Sequence, residues 1–143
     1  MSADLDHIAV KVSDIESFSS ALAGLGYTLE SVKQHDEVGM KIAFMAPPSP
    51  SAAEKMELLE VTDPDSPISG DPEGLHHLAV SVPDIEESYR MMSEDPLYAV
   101  EGTIRQGAHT RIFFFRMTGQ KEPLFECCEQ KGRPSETRGE NRQ

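Results

Sequence analysis

Four residues of this chain combine cation-binding side chains with a spacing that repeats. His7 and His77 stand 70 positions apart, each near the start of an apolar, β-branched run. Glu57 and Glu126 stand 69 apart, each inside another such run. Imidazole nitrogen and carboxylate oxygen together suit Zn, Ni, Co, Fe or Mn, and a set that leaves coordination positions open belongs to catalysis rather than to structure. Charge on an apolar strand is costly to bury unless it is paired or bound to metal. His7 sits among Leu5, Ile8 and Val10, and Glu57 between Met56 and Leu58. A pseudo-two-fold axis relating two halves would bring equivalent positions to one point, so His7, Glu57, His77 and Glu126 are the expected metal ligands. Strand alternation sends His76 and His77 to opposite faces, which puts His77 in the site and His76 at its periphery. Glu60 and Glu129, three residues beyond the ligand glutamates, are expected to face the other way, and His35 and His109 to lie in loops.

The elements that must position these residues come in two copies. HIAVKVSDIE (7–16) and HLAVSVPDIE (77–86) are identical at seven of ten positions. The same offset of 70 carries KIAF (41–44) onto RIFF (111–114), and an offset of 69 carries MELLE (56–60) onto FECCE (125–129). Three blocks in one order read as a duplication. In the first half, a strand at Leu5–Val12 leads to Asp14 as helix N-cap, then to Ile15, Phe18, Leu22 and Leu25 at helical spacing, with Gly26 as the C′ residue. Strands near Tyr27–Lys33, Lys41–Ala46 and Lys55–Thr62 follow. The second half offers a strand at His76–Val82 and a helix from Asp84 to about Ser93, opened by an Asp84/Glu87 capping box. Strands near Leu97–Gly102, Thr110–Met117 and Leu124–Glu129 complete it. The pattern is βαβββ twice, an α+β arrangement: module 1–62, linker 63–74, module 75–130. The Pro-rich stretch Pro47–Ser51 is expected as a hairpin loop, and 131–143 as a disordered tail.

The bulk properties narrow the function. A net charge of −12 over 143 residues argues against nucleic acid as a partner, because phosphate backbones are met by basic patches. No apolar run reaches membrane-spanning length, and the N-terminus shows no secretory pattern. The two cysteines, Cys127 and Cys128, are adjacent, which does not support a disulfide framework. The natural expectation is a cytoplasmic protein without membrane contact.

With LDHIAV and LHHLAV opening its halves, the chain resembles the vicinal oxygen chelate superfamily, which includes glyoxalase I and methylmalonyl-CoA epimerase, over roughly residues 5–130. The segments EVGMKIAF (37–44), MELLE (56–60), DPDSPI (63–68), GLHH (74–77) and GAH (107–109) resemble methylmalonyl-CoA epimerase most. The resemblance implies paired βαβββ modules forming a curved, cupped mixed sheet around a metal cleft. It implies one divalent ion per chain (Co, Zn, Ni or Mn) on the same four ligands. It also implies an isomerase that interconverts (R)- and (S)-methylmalonyl-CoA by proton abstraction through a metal-stabilised enolate, with Glu37 and Glu126 as the two bases, an acyl-CoA thioester as substrate, and a homodimer. Lys41 and Arg111, at equivalent strand positions, are candidates for binding anionic substrate. A glyoxalase I-like lactoylglutathione lyase would use the same ligands, and a non-catalytic small-molecule-binding protein of the same fold is a further alternative. The chain departs from the epimerase pattern at residues 69–73 and at residues 116–119.

Overall fold

The computed structural model describes residues 2–49 and 54–130. Pro50 and Ser51 of the expected hairpin loop, and the expected tail 131–143, lie outside the described residues. Each βαβββ segment forms as the alternation of its apolar residues requires. In β1 (Asp4–Lys11) the burial alternates from His7 onward, as a strand with one face on a core must. Helix α1 (Ile15–Ala23) is opened by Asp14, whose carboxylate accepts from the Ser17 N–H. Beyond its regular turns, Gly26 N–H bonds to Ala23 O and Tyr27 N–H to Leu22 O. That is a Schellman closure with Gly26 at φ 99°, a conformation open to glycine. Strands β2 (Thr28–His35), β3 (Met40–Ala46) and β4 (Lys55–Val61) follow, with a one-turn 3₁₀ helix at Asp36–Val38 between β2 and β3. His35, expected in a loop, closes β2.

The chain divides into two compact units. In the unit Leu5–Ala79 the strands run in the order β2-β3-β4-β1-β5, with β5 spanning Gly74–Val82. The β1–β4 pair is parallel, while β2–β3 and β3–β4 are antiparallel. Val12, Ile15, Leu22, Ala43, Met45 and Leu58 form its core under α1.

The unit that begins at Val80 holds the end of β5, α2 (Ile85–Glu94), β6 (Tyr98–Gln106), β7 (Arg111–Met117) and β8 (Leu124–Glu129), in the order β5-β8-β7-β6. The β6–β7 and β7–β8 pairs are antiparallel. Its core is Val82, Ile85, Met92, Phe113, Phe115 and Cys127, the repeat equivalents of the first core residue by residue. At the N-terminus of α2 half of the expected capping box forms. Asp84 accepts from the Glu87 N–H, while the Glu87 carboxylate turns to Arg90. Strand β6 runs four residues further than its sequence suggests, carried through a bulge between Glu101 and Arg105. Neither cysteine is in a disulfide. Among the described residues no helix is long and apolar enough to cross a membrane.

Candidate metal centre

Neighbouring strands bring His7 of β1, Glu57 of β4 and His77 of β5 together within one unit. Their ligand-capable atoms lie within 4.8 Å of one another. All three are buried, with 4–6% of their surface exposed. Phe44 stands opposite Glu57 in the β3–β4 register, and its ring meets the His7 ring edge-to-face at 5.5 Å, closing one side of the cluster. Glu57 Oε1 lies 3.3 Å from His7 Nε2 and 3.4 Å from His77 Nε2, without the alignment of a hydrogen bond to either. Burial pushes the Glu57 carboxyl up, but the facing His7 and His77 imidazoles more than offset this and bring it down to about 2, so it is ionised.

The far nitrogens of both rings are engaged. Asp6 Oδ2 accepts from His7 Nδ1 at 2.7 Å, and that bond holds the Asp6 carboxyl below the usual range against the opposing effect of burial. A carboxylate can only accept, so His7 carries a proton on Nδ1. His77 Nδ1 meets His76 Nδ1 at 2.9 Å, and His76 Nε2 meets Asp71 Oδ2 at 2.8 Å. Acceptor atoms gathered this closely are stable only around positive charge, either a proton on a ring or a metal ion. Tetrahedral ligands about 2.0–2.2 Å from a common ion stand roughly 3.3–3.6 Å apart, and Glu57 Oε1 lies 3.3 and 3.4 Å from the two ring nitrogens.

The segment that follows β4 packs on the same side of the sheet. Lys11 shares the His7 face of β1 by alternation. Its buried ammonium donates to the carbonyls of Ile68, Ser69 and Asp71. Gly39, at φ 63°, has no room for a side chain, because an added Cβ would come within 2.7 Å of Asp63 Cβ. Its carbonyl accepts from the N–H groups of Thr62 and Asp63. Glu37 is exposed, on the 3₁₀ turn just before this contact.

The sequence model of the glyoxalase/bleomycin resistance protein/dioxygenase superfamily matches residues 6–115. The chain belongs to this superfamily. The mitochondrial methylmalonyl-CoA epimerase of Mus musculus is 29% identical over 117 residues, covering 78% of this chain and 64% of that protein. A hypothetical protein from Bacillus halodurans C-125 superposes with a TM-score of 0.81 at 29% identity, covering 94% of this chain and 99% of its own. The methylmalonyl-CoA epimerase of Mycobacterium tuberculosis does so with a TM-score of 0.77 at 24% identity, covering 94% and 91%.

The superfamily includes epimerases and lyases, and a divalent ion is common in it. The buried imidazole and carboxylate donors of this superfamily member fit such an ion. Glu126 sits in the other unit on β8, buried, opposite Phe114, as Glu57 sits opposite Phe44. Lys41 shares the face of Ala43 and Met45, which pack under α1, and this is the face opposite Phe44. Arg111 likewise lies on the helix side, where Glu129 and Glu86 hold its guanidinium. The structure therefore does not bring Lys41 to the cluster, and it commits Arg111 to two carboxylates. Sequence reasoning missed the polar partners Asp6 and Asp71, left His76 at the periphery, and missed one cation, Arg105, whose guanidinium lies 4.9 Å from the centre of the Phe114 ring. Pairing of each ligand histidine with the residue before it was the available signal for two of them. Asp71 and Arg105 carry none, since one lies in a turn and the other beyond a bulge.

Proposed function

We propose that this protein is a metal-dependent isomerase that epimerises methylmalonyl-CoA, with His7, Glu57 and His77 as ligands and Glu126 as the fourth. The observation that carries the reading is the buried Glu57 carboxylate oxygen facing two imidazole nitrogens, each with its far nitrogen already bonded. Glu126 is included because it repeats Glu57 in strand, position and cross-strand partner. A divalent ion bound there supplies charge that stabilises negative charge developing on a thioester oxygen.

The residues of the chain then have three tasks. Glu37 and Glu126 are the two bases: one takes the C2 proton and the other returns one to the opposite face, which inverts the centre. Phe44 and the neighbouring buried strands keep water from the ligands. Arg105, beside the Phe114 ring, is the cation this reading assigns to the anionic parts of the substrate, ahead of Lys41 and Arg111. The proposal extends to a homodimer in the cytoplasm. The similarity to the mouse epimerase favours the epimerase over a glyoxalase I-type lyase with the same ligands.

The test is exchange in deuterated water. Metal-loaded protein with methylmalonyl-CoA is expected to incorporate deuterium at C2, and to leave methylglyoxal plus glutathione unconverted. Lactoylglutathione formation without exchange at C2 would replace the epimerase with the lyase, and absence of both activities would leave a binding protein.

A further inference from the structure

The residue preceding each ligand histidine occupies the same place in the repeat, yet it is Asp6 in one half and His76 in the other. Asp6 reaches the Nδ1 of its histidine in a single bond. His76 reaches His77 Nδ1 as well, but an imidazole is a different kind of partner, because its own protonation decides what it does. The Asp71 carboxylate fixes one end of it. It accepts only, so the proton between it and His76 sits on His76 Nε2. With His77 read as a ligand through Nε2, its proton is on Nδ1, and His76 Nδ1 is the acceptor 2.9 Å away. His77 Nε2 then lies on the Glu57 side, 3.4 Å from its Oε1.

We propose that Asp71 and His76 form a two-step relay that fixes the tautomer and the ring orientation of His77, the counterpart of Asp6 acting directly on His7. Both are positioning residues, and the proposal rests on reading His7 and His77 as ligands. The relay has a firm base, since Lys11 ties the carbonyls of Ile68, Ser69 and Asp71 to β1. Asp71 therefore presents its carboxylate from a pinned turn. Outer partners of metal-bound histidines of this kind set ring tautomer and ligand basicity, and their loss costs about 10–100-fold in metal affinity.

Two measurements on the full chain test the relay. In metal-free protein with 15N-labelled histidine, His77 is expected to be protonated at Nδ1. In competition with a chromogenic chelator, His76→Ala and Asp71→Ala are each expected to weaken zinc binding about 10–100-fold, with His35→Ala as an unaffected control. Asp71→Asn keeps an acceptor oxygen and is expected to lose less. His76→Asp installs the solution of the first half. It should restore affinity, and in that background Asp71→Ala should have no further effect.

A His77 without a proton on Nδ1, or zinc affinity in His76→Ala equal to that of the unaltered protein, overturns the relay. Should His76→Ala fail to fold, the exposed Asp71 site still gives the answer. Should the unaltered protein bind no zinc, the metal reading fails while the nitrogen spectrum still decides the tautomer.

Discussion

Ala43, Met45 and Leu58 in the first half become Phe113, Phe115 and Cys127 in the second, position for position, while Val12 and Ile15 recur as Val82 and Ile85. The second core is built on rings. Phe115 stacks on Phe125 with centroids 5.2 Å apart, and Phe113 meets Tyr89 edge-to-face at 5.1 Å. The buried residues of the first are aliphatic apart from Met45. The strand and helix order is nevertheless the same, which shows that this fold is specified by where apolar residues fall and not by which they are. The sites differ in the other sense. The proposed ligand types and strand positions are the same in both halves, and the variation is displaced one step outward, to Asp6 against His76 and to Lys11 against Ser81.

The largest effects test whether the two halves are equivalent at the ligands. His7→Ala and His77→Ala should each reduce metal content, measured by elemental analysis, by more than the roughly 10–100-fold in affinity typical of outer partners. Full occupancy in both variants would rule out the ligand set. Glu37→Gln, in the first half only, should slow turnover by about 10²–10⁴-fold and leave metal content unchanged.

Smaller effects separate the cores and the outer partners. Phe113→Ala should cost about 3–5 kcal/mol in denaturant unfolding. Ala43→Phe, which carries the second half's residue into a site already full, should cost about 1–3 kcal/mol. Equal tolerance of both changes would mean the cores are interchangeable. Lys11→Met should cost about 2–3 kcal/mol, because it strips a buried cation from three carbonyls, whereas Ser81→Ala should cost less.

The smallest effect concerns pH. The Arg111 hydrogen bonds hold the Glu129 carboxyl below its ordinary 4.5, against a weaker effect of burial. A carboxyl lowered in the folded state stabilises the protein fully above its unfolded value and loses that contribution as pH falls through the folded one. The difference in melting temperature between the unaltered protein and Glu129→Gln should therefore be constant well above pH 4.5 and shrink on acidification. In the first half Glu60 instead accepts from the Ile15 N–H, an acceptor role that Glu60→Gln preserves.

Much of this was legible because the repeat amplified it. Seven shared positions of ten located β1 and β5, and the spacing of glutamates on β4 and β8 then singled out the ligand candidates. Gly26 could be read as a helix stop because a left-handed position selects for glycine. The supporting partners were harder to see. Alternation correctly put His76 off the His77 face, yet two adjacent imidazoles are long enough for their Nδ1 atoms to meet at the strand's edge. The segment 63–74 has turn composition and no periodicity, so nothing local announced that its carbonyls would surround Lys11. Lys41 and Arg111 looked like substrate cations because strand position alone gives no face until the neighbouring core residues are known.

The clamp on Lys11 has a consequence for the peptide between the halves. A solitary βαβββ copy contains no counterpart of Asp71, since that residue belongs to the peptide joining two copies. The joining peptide thus supplies both the carbonyls that hold Lys11 and the carboxylate that meets His76, and a chain cut between Asp71 and His76 would place those two on different polypeptides.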